Sequence, residues 1–169
     1  MGIDPGTDIT GYGIVRCNGA AELLVEAGII RGGKGELHEK LNSIYKELVG
    51  IISEFHPSRI AIEQLYAHYK HPRTSIIMGH ARGVIMLAAS QAGLEISSYP
   101  ATEIKKTISG NGRASKEKLS RIITEIFNLE KQPDYLDISD ALAVALTDIR
   151  HQSIKPTALV SNTRNSGRK

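Results

Sequence analysis

Short apolar runs closed by acidic or turn residues alternate along this chain with longer stretches of helical period. Residues 1–4 read as a strand stub ending at Pro5-Gly6, a turn signal. Gly11–Cys17 and Glu22–Ile30 are apolar-rich and flank Asn18-Gly19, a strong hairpin marker, so three antiparallel strands are predicted to open the domain. Gly32–Gly35 reads as a loop. From Glu36 to Phe55, apolar residues recur at Leu37, Leu41, Ile44, Leu48, Ile51, Ile52 and Phe55, a helical period that Pro57 stops. Arg59–Glu63 is a short buried strand. Residues 66–73 are expected to form a loop, after which Thr74 is expected to cap a long helix running to Ala92 and ended by Gly93. Glu95–Tyr99 reads as a fifth strand closed by Pro100. A short helix at 102–109, a loop over Ser109–Arg113 and a helix from Ser115 to Asn128 follow. After Pro133, a last helix is predicted from Asp134 to Arg150.

Hairpin strands first, then alternating helices and strands, predict an α/β domain with a mixed five-stranded sheet and helices on both faces. That order matches the ribonuclease H-like fold. The expected division is a nuclease-sized domain over 1–151 and a basic tail over 152–169 without periodicity, expected to be disordered. The 169 residues suit one domain with a proper core, and 41% hydrophobic with 23% charged residues is ordinary for a globular protein.

Charge refines this picture. The net +3 is an average that hides an asymmetry. After Asp148 there are five basic residues and no acidic ones, leaving 16 basic against 18 acidic in residues 1–149. A basic tail fits a polyanionic partner, and it also fits a plain solvated end. The single cysteine, Cys17, excludes an internal disulfide and a multi-cysteine zinc site, so a reducing cytoplasm is the expected compartment. No apolar stretch reaches the roughly 18 residues of a membrane span, and no basic-then-apolar signal pattern opens the chain.

The chemistry lies in four acids at the ends of predicted elements. Asp4 and Glu63 each close an apolar run, and Asp137 and Asp140 sit three apart on an amphipathic helix, so both project from one face. Each has an ordinary structural explanation. Asp4-Pro5-Gly6 alone is a turn tripeptide, but Gly11 and Gly13 let the neighbouring strand run close beside it. Glu63 ends a run buried on both faces, where a carboxylate needs an ion pair or a ligand, and it would sit at a strand's carboxyl end, where α/β sheets gather ligands. Asp134 and Asp137 suit a helix N-terminus, and Asp134 is expected to be the cap. Asp140 lies beyond the reach of the helix dipole, on the packed face. Asp8 is expected to be exposed. Hard oxygen donors brought together in this way suit Mg²⁺, and a pair of such ions is a recurring device for cutting phosphodiesters.

With those residues in view, the chain resembles the RuvC-type Holliday junction resolvases, the crossover junction endodeoxyribonucleases. The resemblance runs from residue 2 to about 150. It rests on Gly2-Ile3-Asp4-Pro5-Gly6 with Thr10-Gly11-Tyr12-Gly13, on Ala61-Ile62-Glu63-Gln64, on Gly79-His80-Ala81-Arg82-Gly83, and on Asp137-Ile138-Ser139-Asp140-Ala141-Leu142-Ala143. It implies a homodimer that binds four-way DNA junctions and nicks two opposing strands symmetrically, working with the RuvA-RuvB branch-migration complex. By the same resemblance Asp4, Glu63, Asp137 and Asp140 bind Mg²⁺, two ions per site with Mn²⁺ able to substitute, and activate water. The third of these positions is histidine in some members. Family members also begin with several apolar residues ahead of the Gly-Ile-Asp-Pro-Gly string. Restoring a few upstream is therefore expected to raise the melting temperature, and an unchanged value in the extended chain would sink that expectation.

DNA contact needs other residues, because four carboxylates repel phosphate. Lys105, Lys106, Arg113, Lys116, Lys118 and Arg121 place six positive charges within 17 residues. The resemblance matches Lys105 and Lys116 to lysines near the scissile phosphate, while Lys106, Lys118 and Arg121 read as a solvated face. The loop Tyr66–Arg73 mixes aromatic and basic groups beside Glu63, with Tyr66, Lys70 and Arg73 as candidate stacking and phosphate contacts. Tyr66 matches a family aromatic that contacts an unpaired base at the junction centre. The helix over 74–92 is apolar nearly all round, as a surface covered by both the sheet and a twofold mate would be. Competing readings are a YqgF-type ribonuclease H-like nuclease acting on RNA, a phosphotransferase of the actin and hexokinase type, and a junction-binding protein that does not cleave. The second needs two such domains, and the complete carboxylate set argues against the third.

Overall fold

In the computed structural model, residues 1–19, 21–65 and 72–154 are described. Strands β1 (Gly2–Asp4), β2 (Ile9–Asn18), β3 (Ala21–Arg31), β4 (Arg59–Glu63) and β5 (Glu95–Tyr99) alternate with helices α1 (Leu37–Phe55), α2 (Pro72–Gln91), α3 (Ala101–Ser109), α4 (Lys116–Ile126) and α5 (Leu136–Ile154). The sheet runs in the order β3-β2-β1-β4-β5. The first three strands are antiparallel, and β4 and β5 add in parallel on the other side of β1. This is the mixed sheet of the ribonuclease H-like fold.

The two-residue alternation of each strand sorts its side chains between the faces. Ile3, Ile30, Ile60 and Ile62 point into one core layer with Ile44 and Leu48 of α1 and Ala81 and Ile85 of α2. Ala61 and Tyr99 point to the opposite layer, against Ile104 of α3, Leu119 and Ile123 of α4, and Leu142 and Leu146 of α5. Gly2 and Asp4, flanking Ile3, therefore face α5. So do Ala61 and Glu63. The two acids share one face because the strand period allows them no other.

Three expectations need correcting at element ends. Helix α5 begins at Leu136, so Asp134 lies ahead of it and pairs with Lys131 at 3.0 Å in place of capping. Helix α2 begins at Pro72, two residues before Thr74, since proline at the first helical position gives up an N–H that would have no partner anyway. Helix α5 continues to Ile154, past Arg150. Helix α2 is also less buried than its composition implied. Ala81, Ile85, Ala88 and Ala89 form its packed face, while Ile76 and Leu87 are 63% and 53% exposed. Among the described residues, no helix is long and apolar enough to cross a membrane.

Candidate active site

Asp4 is the last residue of β1 and Glu63 the last of β4. Because Ile3 pairs with Ile62 in parallel register, the two acids emerge side by side at the carboxyl edge of the sheet. The Asp4 turn is pinned by Thr10, fully buried, whose hydroxyl donates to the Gly6 carbonyl at 2.6 Å and accepts from the Gly6 amide at 3.2 Å. Behind Glu63, Arg82 of α2 reaches the Glu63 carbonyl at 3.4 Å and the Ser98 hydroxyl at 2.7 Å, tying the ends of β4 and β5 to α2.

The helix acids arrive by close packing. Gly11 pairs with Asp4 across β1 and β2, and a Cβ built on Gly11 would stand 2.0 Å from the carbonyl oxygen of Asp137. Gly2 is in the same position lower down, where a Cβ would meet the Ala141 carbonyl oxygen at 2.2 Å. Only glycine at these two positions lets α5 lie on the central strands, and that contact puts Asp137 one strand away from Asp4. Asp140, one turn on, is 6% exposed and turned inward. Helix α4 is docked on α5 by Leu119 and Ile123 and by a buried hydroxyl pair, Ser120 to Ser139, at 2.9 Å. That docking delivers Lys116, at the first position of α4, to within 2.5 Å of an Asp140 oxygen.

The electrostatics report how close these groups stand. Burial, then the charges of Glu63 and Asp140, push the Asp4 carboxyl up to about 8, with Lys116 opposing and Asp137 adding. Glu63 is raised by burial and by Asp140, against Lys116 and Lys105. Burial works against the Lys116 ammonium, but the hydrogen bond and charge of Asp140, with Asp4 and Glu63 behind it, hold it above the usual lysine range. Negative charge here exceeds what one lysine neutralises, and every donor is a hard carboxylate oxygen. This is the chemistry of a site for a divalent ion such as Mg²⁺. Among the described residues, no three acidic, histidine or cysteine side chains already converge tightly enough to share one ion. The donor set fits the ion, and closing it around one needs side-chain movement.

A cleft of about 400 Å³ opens beside the acids, lined by Asp4, Pro5, Glu63, Leu65, Met78 and Pro100. A pocket of about 60 Å³ lies between Glu63, Lys105, Lys116 and Asp140. A larger cleft, about 550 Å³, lies at the other end of β1 beside Met1, Arg59 and Asp148, away from these carboxylates. Lys105 and Lys116 thus both belong to the site. Lys106, Lys118 and Arg121 are exposed, as is Asp8, which pairs with Lys40. Arg113 is exposed in the loop before α4, and Arg73 is exposed at the start of α2. Tyr66 and Lys70 lie outside the described residues. The supporting roles of Thr10, Arg82 and Ser139 were invisible in the sequence beyond their presence in the quoted strings, since each depends on a contact between distant segments.

The sequence model of a family described as crossover junction endodeoxyribonuclease RuvC matches residues 1–148. A crossover junction endodeoxyribonuclease RuvC of Rhodopirellula baltica is 41% identical over 147 residues, covering 86% of this chain and 83% of the relative. One from Pseudomonas putida is 38% identical over 169 residues, covering 99% and 96%. A T. thermophilus RuvC solved in complex with a Holliday junction substrate superposes with a TM-score of 0.81 at 28% identity, covering 92% of this chain and 97% of that one.

Proposed function

Since this chain belongs to the RuvC family of crossover junction endodeoxyribonucleases, we propose that its carboxylate cleft is where a Holliday junction strand is hydrolysed, with Asp4, Glu63, Asp137 and Asp140 as the reactive set. The enzyme is a junction-resolving endonuclease of DNA recombination and repair. One observation carries the assignment of the site: Asp4 and Glu63 leave adjacent parallel strands on the face where α5 presents Asp140, and burial, with the Glu63 and Asp140 charges added, lifts the Asp4 carboxyl to about 8.

The family is one of metal-dependent nucleases, and Mg²⁺ is the ion the donors favour. Asp4, Glu63, Asp137 and Asp140 would hold it, two ions per site, and bound there it would supply the Lewis acidity that activates water and stabilises the departing 3′-oxygen. The chain's own groups do the rest. The four carboxylates fix the direction of in-line attack on the phosphodiester, leaving a 5′-phosphate and a ligatable 3′-hydroxyl. Lys105 and Lys116 stand beside Glu63 and Asp140, where they can meet the non-bridging phosphate oxygens that the acids alone would repel. Arg113 and Arg73, both exposed, are proposed as further DNA contacts together with Tyr66 and Lys70.

Symmetric nicking requires two sites, and α2 offers the surface for a twofold mate. Ile76, Gly79, His80, Gly83, Val84 and Leu87 line an open apolar groove with Leu41 of α1. A second copy covering that groove would bury Ile76 and Leu87 and explain an apolar face otherwise left in water. The homodimer would act on junctions held by the RuvA-RuvB branch-migration complex, in the cytoplasm. The test is cleavage of a synthetic four-way junction with and without Mg²⁺, beside linear duplex and RNA–DNA hybrid controls. Asp4→Ala or Glu63→Ala should abolish nicking while junction binding persists, and a purified variant that still nicks refutes the assignment. Preference for the hybrid would favour the RNA-directed alternative.

A further inference from the structure

The acid cleft contains a cation of the chain's own. Lys116 places its ammonium 2.5 Å from Asp140 and within the field of Asp4 and Glu63. The position is built, not incidental. Ser115 caps α4 by accepting from the Lys118 amide at 3.2 Å, and the Ser120–Ser139 pair locks α4 to α5 one residue before Asp140. The remaining space between Glu63, Lys105, Lys116 and Asp140 is about 60 Å³, on the scale of two water molecules. The wider cleft beside Asp4 and Glu63 is open, but the Asp140 oxygen that a divalent ion would need is already taken by the ammonium. Yet the Lys116 side chain is 55% exposed, so a path into solvent is open to it.

Resting on the reading of Asp4, Glu63 and Asp140 as metal ligands, we propose that the Lys116 ammonium holds the cation position of the cleft until a divalent ion displaces it. Displacement frees the side chain to swing toward the DNA phosphate. Lys116 is then a positioning residue with two posts. It keeps the acids from driving each other apart before loading, and it becomes a phosphate contact afterwards. Lys105 lines the same pocket and lowers the Glu63 carboxyl by its charge, but the ion pair to Asp140 is made by Lys116. The two lysines therefore separate a specific displacement from a general loss of positive charge.

The experiment is a Mg²⁺ titration of the full chain without DNA, followed by NMR. The readouts are the backbone amides of Asp4 and Asp140 and the Nζ ammonium signal of Lys116. In wild type the ammonium signal should be protected in EDTA and move to the position of a solvated lysine as Mg²⁺ saturates. Lys116→Met should bind Mg²⁺ at least fivefold more tightly, and Lys105→Met distinctly less so. Lys116→Gln serves if the methionine variant does not hold its amide spectrum. An Nζ signal unmoved at saturation, or equal tightening by both variants, overturns the displacement while leaving the ligand assignment standing. Failure of wild type and variants alike to bind Mg²⁺ at these amides overturns both.

Discussion

The crowding of Asp4 makes the stability of the metal-free enzyme depend on pH in a direction opposite to that of an ordinary salt-bridged protein. The carboxyl rises from 3.8 to about 8 on folding, with burial the main cause and the Glu63 and Asp140 charges next. Below pH 4 the group is protonated folded and unfolded, so it adds no penalty. Between pH 4 and 8 the unfolded chain loses this proton while the folded one keeps it, and stability falls. Above about pH 8 the penalty is complete. At about 1.4 kcal/mol per pKa unit the ceiling is about 6 kcal/mol. Water reaching the open cleft reduces this to roughly 2–3 kcal/mol. Urea midpoints in EDTA should therefore drop between pH 5 and pH 8.5, and Asp4→Asn should flatten most of that slope. Wild type and variant share every other ionisable group, so the difference in slope isolates Asp4. Saturating Mg²⁺ at pH 8.5 should restore the wild-type midpoint and leave the variant less affected. Equal slopes in the two proteins would refute the argument that burial and neighbouring charge raise the Asp4 carboxyl on folding.

Gly11→Ala drives a methyl into the Asp137 carbonyl and should cost about 3 kcal/mol; thermal melts should fall by roughly 5–10 °C, with cleavage falling further than binding. Leu87→Glu, which puts a charge on the exposed face of α2, tests the proposed twofold pairing: it is expected to run as a monomer in analytical ultracentrifugation where wild type runs as a dimer, and to lose paired nicking at the junction. Junction affinity should fall steeply with salt, and Lys105→Ala should make the logarithmic salt slope shallower by about one unit.

The parts of the fold with two-residue or helical period were legible because burial enforces them locally. Strands β4 and β5 begin and end where the sequence predicts, and α1 buries Ile44, Leu48 and Ile52 of its apolar stripe. Element ends were less legible. Asp134 has every attribute of an N-cap, yet Leu136 starts the helix and Lys131 takes the carboxylate. For Asp4, Glu63 and Asp140, an acid at the end of an apolar run or on a packed helix face is costly without a purpose, so these stood out unaided. Lys116 was legible as a phosphate contact by resemblance, but its ion pair with Asp140 was not, because that partner lies 24 residues away and the docking of α4 on α5 decides its place. Likewise Ile76 and Leu87 share the composition of α2's core face, and only the packed structure shows which side is left open.

Helix α5 touches every strand of the sheet and also carries half of the acid set. Its fit over Gly2 and Gly11 leaves no slack for partial detachment. A molecule that has begun to unravel, or a nascent chain that has not yet laid this C-terminal element onto the sheet, holds Asp4 and Glu63 with nothing opposite them. Under the proposed assignment, a chain whose α5 is undocked lacks half of the acid set and should not cleave.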